Sequence, residues 1–284
     1  MGMTDIVGPS IIRLKDGKYR MYLQGHNQMG VNIISLISND GSVWTPEPGI
    51  RIKHGFESDL DFEAGEPDVF LGLDGKFYMA YTGRQPVTNN LYHKILFAVS
   101  DDGLNWTKLN KAFSDPLNMN SFAASADVLS VNDIYIMYYT GGTTILKATS
   151  DDGLNWSRQS VVFDVGHDST TALLDGNYYM FAKIPLASKN PKSANAADET
   201  DNDAILMAIS ADDAILMTVS PDGLNWPQSY YRITVKDVSG AEIAYNNLQN
   251  PAAAVMGGSS LTLYLNTLGG ASIISARPTT PLPK

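Results

Sequence analysis

One phrase recurs along this chain and limits what it can fold into. Ser-Asp-Asp-Gly-Leu-Asn-Trp runs over 100–106, repeats letter for letter over 150–156, and returns as Ser-Pro-Asp-Gly-Leu-Asn-Trp over 220–226. A looser copy, Ser-Asn-Asp-Gly-Ser-Val-Trp, lies over 38–44, and the four copies hold all four tryptophans. Copies 50 to 70 residues apart argue for an array of similar units rather than one irregular core. The chemistry is that of a turn: the Asp can accept from its own backbone two residues on, and the Gly supplies a positive φ. The Trp that follows is a large apolar wedge suited to packing between neighbouring units. An acidic, glycine-containing turn also suits calcium, but oxygens at ligand spacing are too few here, so the phrase reads as scaffold.

Each turn is preceded by the same sentence. Gly8-Pro9-Ser10-Ile11-Ile12 leads to Asp16-Gly17-Lys18-Tyr19-Arg20-Met21-Tyr22, and Glu66-Pro67-Asp68-Val69-Phe70 leads to Asp74-Gly75-Lys76-Phe77-Tyr78-Met79-Ala80-Tyr81. Asp-Gly between two alternating apolar runs is a strong hairpin signal. Related pairs stand at 126–129 with 135–139 and at 169–174 with 177–180. A third strand is expected before each turn, at 31–36, 95–99, 145–149 and 215–219, and a fourth after each Trp. A shorter fifth unit, 250–256, 261–266 and 272–276, has no such turn, so its outer strand is missing or donated by another segment. The fold class is therefore all-β: a five-bladed β-propeller of four-stranded antiparallel blades, with residues 1–284 as one domain. The fourth unit carries extra material, a polar stretch at 186–202 and a tandem duplication, 203–210 followed by 213–220, of which only one copy can be the regular third strand. The bland reading is a slipped repeat in a longer hairpin; the alternative is a lid over a site.

Bulk properties exclude several partners. Net charge is −10 and no Lys/Arg cluster occurs, which argues against nucleic acid and anionic membranes. No apolar run reaches the 18 residues of a spanning helix. With no Cys there is neither a disulfide nor a thiol nucleophile. Met1-Gly2-Met3 reads as an added start that replaces a leader, and few Lys with many Asn, Ser, Thr and Gly lean towards export. The expected location is secreted or periplasmic.

In a meander blade the first strand is innermost, so its first residues converge on the axis from every blade. Those residues are Gly8 and Ser10, Glu66 and Asp68, Asp127, His167 and Asp168, and Asn247 to Asn250. Carboxylates crowded around one funnel are costly to desolvate unless paired or used, and crowding spreads their pKa values for acid/base work. Asp68, the acid nearest a Pro turn, is accordingly either a site residue or the cap of a strand-entry loop, and Asp127, Asp168 and His167 are candidate site residues. Arg84 and His26, at the ends of second strands, are candidate sugar contacts or solvated loop residues. The acidic axis would also suit a Ca2+ ion or a water cluster in the central channel, although no cofactor is required and no protein metal centre is expected.

The phrase Pro-x-(Val/Ile), Asp-Gly-Lys-Tyr-x-Met-x-Tyr, Ser-x-Asp-Gly-x-x-Trp resembles the five-bladed glycosidase superfamily of glycoside hydrolase families 43, 32, 62, 68 and 130. That resemblance implies an Asp base opening blade one, a pKa-tuning Asp in blade three and a Glu acid in blade four. Carried over, Asp127 matches the tuning Asp, His167-Asp168 stands where the acid would be, and Glu66-Pro67-Asp68 resembles the acidic-Pro motif of families 32 and 130. Blade one departs from the pattern: Gly8-Pro9 replaces Asp-Pro, and Asp5, three residues upstream, is the candidate substitute.

Two readings follow. The first is a glycoside hydrolase acting on a poly- or oligosaccharide, with catalytic Asp127, Asp168, Asp68 and Glu66, and with His167, Arg84, His26, Asp5 and Asn250 binding substrate. The second is a carbohydrate-binding or scaffolding propeller that has lost its blade-one Asp. Loss of a general base is worth about 10² to 10⁴ in rate. A sialidase is a weaker third option, because no arginine triad is evident.

Overall fold

The computed structural model describes residues 3–87, 90–118, 121–185, 213–244, 248–267 and 272–284. Five antiparallel meanders succeed one another. Blade one holds β1 (Thr4–Arg13), β2 (Tyr19–Asn27), β3 (Gly30–Ser38) and β4 (Thr45–Pro46). Blade two holds β5 (Glu63–Leu71), β6 (Phe77–Val87), β7 (Asn90–Ser100) and β8 (Thr107–Phe113). The third comprises β9 (Ala124–Val131), β10 (Ile134–Gly141), β11 (Thr144–Ser150) and β12 (Ser157–Phe163). In the fourth are β13 (His167–Leu174), β14 (Asn177–Pro185), β15 (Asp213–Ser220) and the two-residue β16 (Tyr231–Arg232). In blade five the described residues form three strands: β17 (Leu248–Met256), β18 (Ser260–Thr267) and β19 (Ile273–Ala276). The architecture is the five-bladed β-propeller. Among the described residues no helix is long and apolar enough to cross a membrane. Of the duplicated segments the second, 213–220, is the regular third strand; 186–202, 203–210 and Asn247 lie outside the described residues.

The repeated phrase builds the turn its residues dictate. In the second copy Gly103 has φ 70°, and Asp102 Oδ1 accepts from the amides of Leu104 and Asn105, both at 2.8 Å. Ser100 Oγ accepts from the Gly103 amide at 2.8 Å. Each Trp then packs on the blade before it: Trp106 edge-on to Tyr22, Trp226 to Tyr138, and Trp44 to Tyr264. The same tyrosines donate their hydroxyls to the turn glycines, Tyr22 to the Gly103 carbonyl at 2.7 Å and Tyr138 to that of Gly223 at 2.5 Å. Blade two has Ala80 at the equivalent place, and Phe97 from the adjoining strand stacks on Trp156 instead, 6.3 Å between centroids. Second-strand tyrosines supply much of the core: Tyr22, Tyr81, Tyr138 and Tyr139 are almost fully buried, while Tyr78 and Tyr178 are partly buried.

Among the described residues no strand is shared between blades five and one. Met21 and Leu23 pack against Ala252, Ala254 and Met256. Asn266, fully buried, accepts from the Gly8 amide at 2.9 Å and donates to the Ile6 carbonyl.

Candidate functional site

Every innermost strand carries a bulge at the same place. The ladder slips at Gly8-Pro9, Glu66-Pro67, Ser125-Ala126, Asp168-Ser169 and Asn250-Pro251. The first residue of each pair lies in the left-handed region, with φ of 62°, 46°, 49°, 52° and 44°. Four of these five are not glycine, and a non-glycine residue held there costs of order 1 kcal/mol or more, a strain that clusters at functional sites. The five residues ring the mouth of an axial cavity of about 150 Å3 that all five blades line. At Gly8 an added Cβ would come 3.2 Å from Glu66 Cα, so the absent side chain of blade one is space that Glu66 adjoins.

Within the ring the sequence-predicted acids fall into two kinds. Glu66 and Asp168 sit at ring positions, and the hydroxyl of Ser125 lies between them, 3.0 Å from Glu66 Oε2 and 2.8 Å from Asp168 Oδ1. Those two oxygens can be no farther apart than the sum of the contacts, below the about 6.5 Å at which an inverting pair makes room for water. A hydroxyl has one hydrogen, so Ser125 donates to one carboxylate at a time, and satisfying both contacts requires a proton on the other. Arg84 pairs with Glu66 through Nη2 and lies 3.7 Å from Glu63. On the opposite side His167 Nδ1 is 2.9 Å from Asp168 Oδ2, and Asn250 Nδ2 donates to the same oxygen at 3.3 Å. Burial alone would raise the Asp168 pKa, but the bond and charge of His167, the Ser125 hydroxyl and the Lys183 ammonium outweigh it and hold the carboxyl below its usual range.

Asp68 and Asp127 lie two residues beyond the ring position and do different work. Asp68 Oδ2 accepts from the Val128 amide at 2.8 Å, while Asp127 Oδ1 and Oδ2 accept from the Thr171 amide at 3.1 Å and its hydroxyl at 2.5 Å. Ser10 Oγ and Thr170 Oγ1 accept in the same way from the amides of Val69 and Ala253, at 3.0 and 3.1 Å. Four of the five blades are thus fastened to the next by one side chain at one position. The fifth, Ala252, has no oxygen to offer. Burial pushes the Asp68 carboxyl up to about 6 against the opposing bonds from Val128, Ser10 and Val69. Asp127 is raised well above the usual range by burial and by the nearby Asp68 charge, again against its bonds from Thr171.

The remaining candidates stand outside the cavity lining. Asp5 and His26 pair with each other at 3.5 Å, both half-exposed, so Asp5 does not take the place that Gly8 leaves empty. Arg84 and His167 flank the ring through their carboxylate partners. Sequence reasoning passed over Ser125. The signal was present: aligned on their Pro or small residue, Gly8-Pro9-Ser10, Glu66-Pro67-Asp68, Ser125-Ala126-Asp127, Asp168-Ser169-Thr170 and Asn250-Pro251-Ala252 put it in the ring. For the central ion, the Asp68 and Asp127 oxygens are engaged by neighbouring blades, and among the described residues no three His, Asp or Glu side chains converge as a metal centre.

The fold has solved counterparts. A glycosyl hydrolase from Bacteroides ovatus superposes with a TM-score of 0.69 over 98% of this chain and 86% of its own, at 13% identity. The fold is shared with five-bladed glycoside hydrolases. A thermostable family-43 glycoside hydrolase matches at 0.61 over 97% of this chain and 90% of its own, at 15% identity. A structure described under the family-130 mannoside phosphorylases, which include hydrolases of β-1,2-mannosidic linkages in Candida mannan, matches at 0.66 over 98% and 86%, at 14% identity. No protein-family model and no curated protein matches the sequence.

Proposed function

We propose that the protein binds an oligosaccharide at the mouth of the axial cavity and hydrolyses it with Glu66 and Asp168. The observation that carries this reading is the pair of ring carboxylates bridged by one Ser125 hydroxyl on a strained, five-fold repeated bulge. Support comes also from the fold, shared with proteins that act on carbohydrates. Asp168, held ionised, is the nucleophile or base. Glu66 is the proton donor, with Arg84 moving to the nearby Glu63 as Glu66 takes its proton. The short separation of the pair suits retention of anomeric configuration. Asp68 and Asp127 support the ring and stay out of the chemistry.

The test is a panel of aryl glycosides and oligosaccharides scored for both thermal stabilisation and product release. Glu66→Gln and Asp168→Asn should each lower turnover of any hydrolysed sugar by about 10² or more while leaving its affinity within about tenfold. Undiminished hydrolysis in both variants would remove the pair from the mechanism.

A second reading is favoured by one contact: Arg84 pairs with Glu66, the residue that must carry the proton. Under it the protein is a carbohydrate-binding propeller without turnover. Sugars that stabilise the protein and are never cleaved would select it.

A further inference from the structure

The propeller has one seam unlike its other interfaces. In all five blades an isoleucine occupies the same place on the third strand: Ile33, Ile95, Ile145, Ile215 and Ile273, opposite Gln24, Thr82, Thr140, Lys183 and Asn266. In blades one to three that isoleucine pairs with a large apolar residue at the end of the outer segment, Ile52, Phe113 or Phe163. These three are buried and plug the gap to the following blade: Ile52 against Met79, Tyr81 and Leu96, Phe113 against Tyr139 and Leu146, Phe163 against Met180 and Ala182. In blade four Ile233 takes this place, its amide donating to the Ile215 carbonyl at 3.1 Å.

Among the described residues blade five has no fourth strand, and none of them takes the place of the plug. The residues of blade one equivalent to Met79, Tyr81 and Leu96 are Met21, Leu23 and Ile34. Together with Ile273 and Trp44 they line an apolar cavity of about 630 Å3 at the seam. Beside it β19 is a sheet edge, its four residues paired on one side with β18. In blade one the Ile33 amide and carbonyl and the Ser35 carbonyl bond the outer segment, so by the two-residue alternation of a strand Ile273 and Ser275 present their backbone groups outward in blade five. The tail beyond β19 does not return to cover this edge, for Tyr179 of blade four donates to the Pro283 carbonyl at 3.0 Å and Leu282 packs with it.

We propose that this seam is a docking site for an extended strand from another polypeptide that carries a large aliphatic or aromatic residue. The strand would pair with Ile273 and Ser275 and seat that residue in the cavity, in the manner of strand addition to an exposed edge. The chemistry of the occupant is given by the molecule itself, since three of its own interfaces are filled by an Ile or Phe bridged to the third strand in this position, two of them on a strand. This inference is independent of the carbohydrate site.

The probe is a fluorescent peptide, Ser-Arg-Gln-Ser-Val-Val-Phe, copying the outer strand of blade three, Ser157–Phe163. Anisotropy titration should give saturable binding, and hydrogen exchange should slow at Ile273 and Ser275. A Phe163→Ala version of the peptide should bind at least about tenfold more weakly. So should the original peptide with the Ser275→Pro protein, which loses an outward donor at an edge position where Pro is tolerated. Absence of saturable binding, or binding indifferent to both changes, would overturn the proposal. So would a hydrophobic dye bound at the seam that the peptide cannot displace, which would mark a small-molecule cavity. A concentration-dependent dimer abolished by Ser275→Pro would assign the edge to a second copy of the chain instead.

Discussion

Asp68 and Asp127 illustrate how one residue type serves two ends a few ångströms apart. At the ring position a carboxylate faces the cavity mouth; two residues on, it is buried against the next blade and fastened to a backbone amide. The raised pKa of the buried pair gives a signed prediction. The folded state binds a proton more tightly than the unfolded chain, so the stabilisation is complete below about pH 4 and is lost as pH rises through about 6. The turn aspartates act in the opposite sense: Asp102 and Asp222 are held low mainly by backbone donors, and their contribution is lost only well below pH 4. The melting temperature should therefore be higher at pH 5 than at pH 7.5, and Asp68→Asn should flatten that difference. A wild-type protein at least as stable at pH 7.5 as at pH 5 would contradict the buried-pair account. Asp127→Asn should keep the fold, within about 1 kcal/mol, and leave sugar affinity unchanged in calorimetric titration, because its oxygens face Thr171 rather than the mouth.

Among the elements, the Ser-x-Asp-Gly-x-x-Trp turn shows why a repeat is more than a sequence curiosity. It closes its own hydrogen bonds, then offers an indole to the preceding blade and, in three of the four copies, a glycine carbonyl to a tyrosine there, so each copy is at once a local turn and an inter-blade contact. Trp226 is the most buried of the four, and its Nε1 donates to Tyr138 Oη at 2.8 Å. Trp226→Ala should cost about 3–5 kcal/mol. Trp106→Ala and Trp156→Ala, at half-buried sites, should cost about 2–4 kcal/mol. Tyr138→Phe removes the donor to Gly223 and the acceptor for Trp226 together, and should cost about 1–3 kcal/mol. Chemical denaturation of the four variants measures all of these; wild-type stability in Trp226→Ala would contradict the wedge role.

For the whole molecule the question is how the ring closes. Four junctions carry a side-chain staple between inner strands, and the junction from Ala252 to blade one cannot. Asn266 bears that load, bonding both the Gly8 amide and the Ile6 carbonyl. Asn266→Ala would leave two part-buried backbone groups without this partner, with an expected loss of about 1–4 kcal/mol. Hydrogen exchange in that variant should rise first in β1 and β17, at the seam. Uniform exchange across all five blades would show that closure does not depend on this residue.

Much of this architecture was written in the order of residues. The repeated turn, the Asp-Gly hairpins and the alternating apolar runs are local signals, fixed by φ preferences and a two-residue period, and they yielded the strands, the five blades and the incomplete fifth. Convergence of Glu66, Asp68, Asp127, Asp168 and Asn250 on one axis also followed, because innermost strands must meet there. What the order of residues could not decide was which of these acids face the mouth. A single bulge shifts side-chain direction by one place, and the bulge at Ser125-Ala126 has no Pro to mark it as Gly8-Pro9 and Glu66-Pro67 do. Only the folded ring put Ser125 between Glu66 and Asp168, turned Asp127 towards Thr171, and paired Asp5 with His26 away from Gly8. These are contacts between residues far apart in the chain, set by how five twisted sheets pack around one axis, and no local preference encodes them.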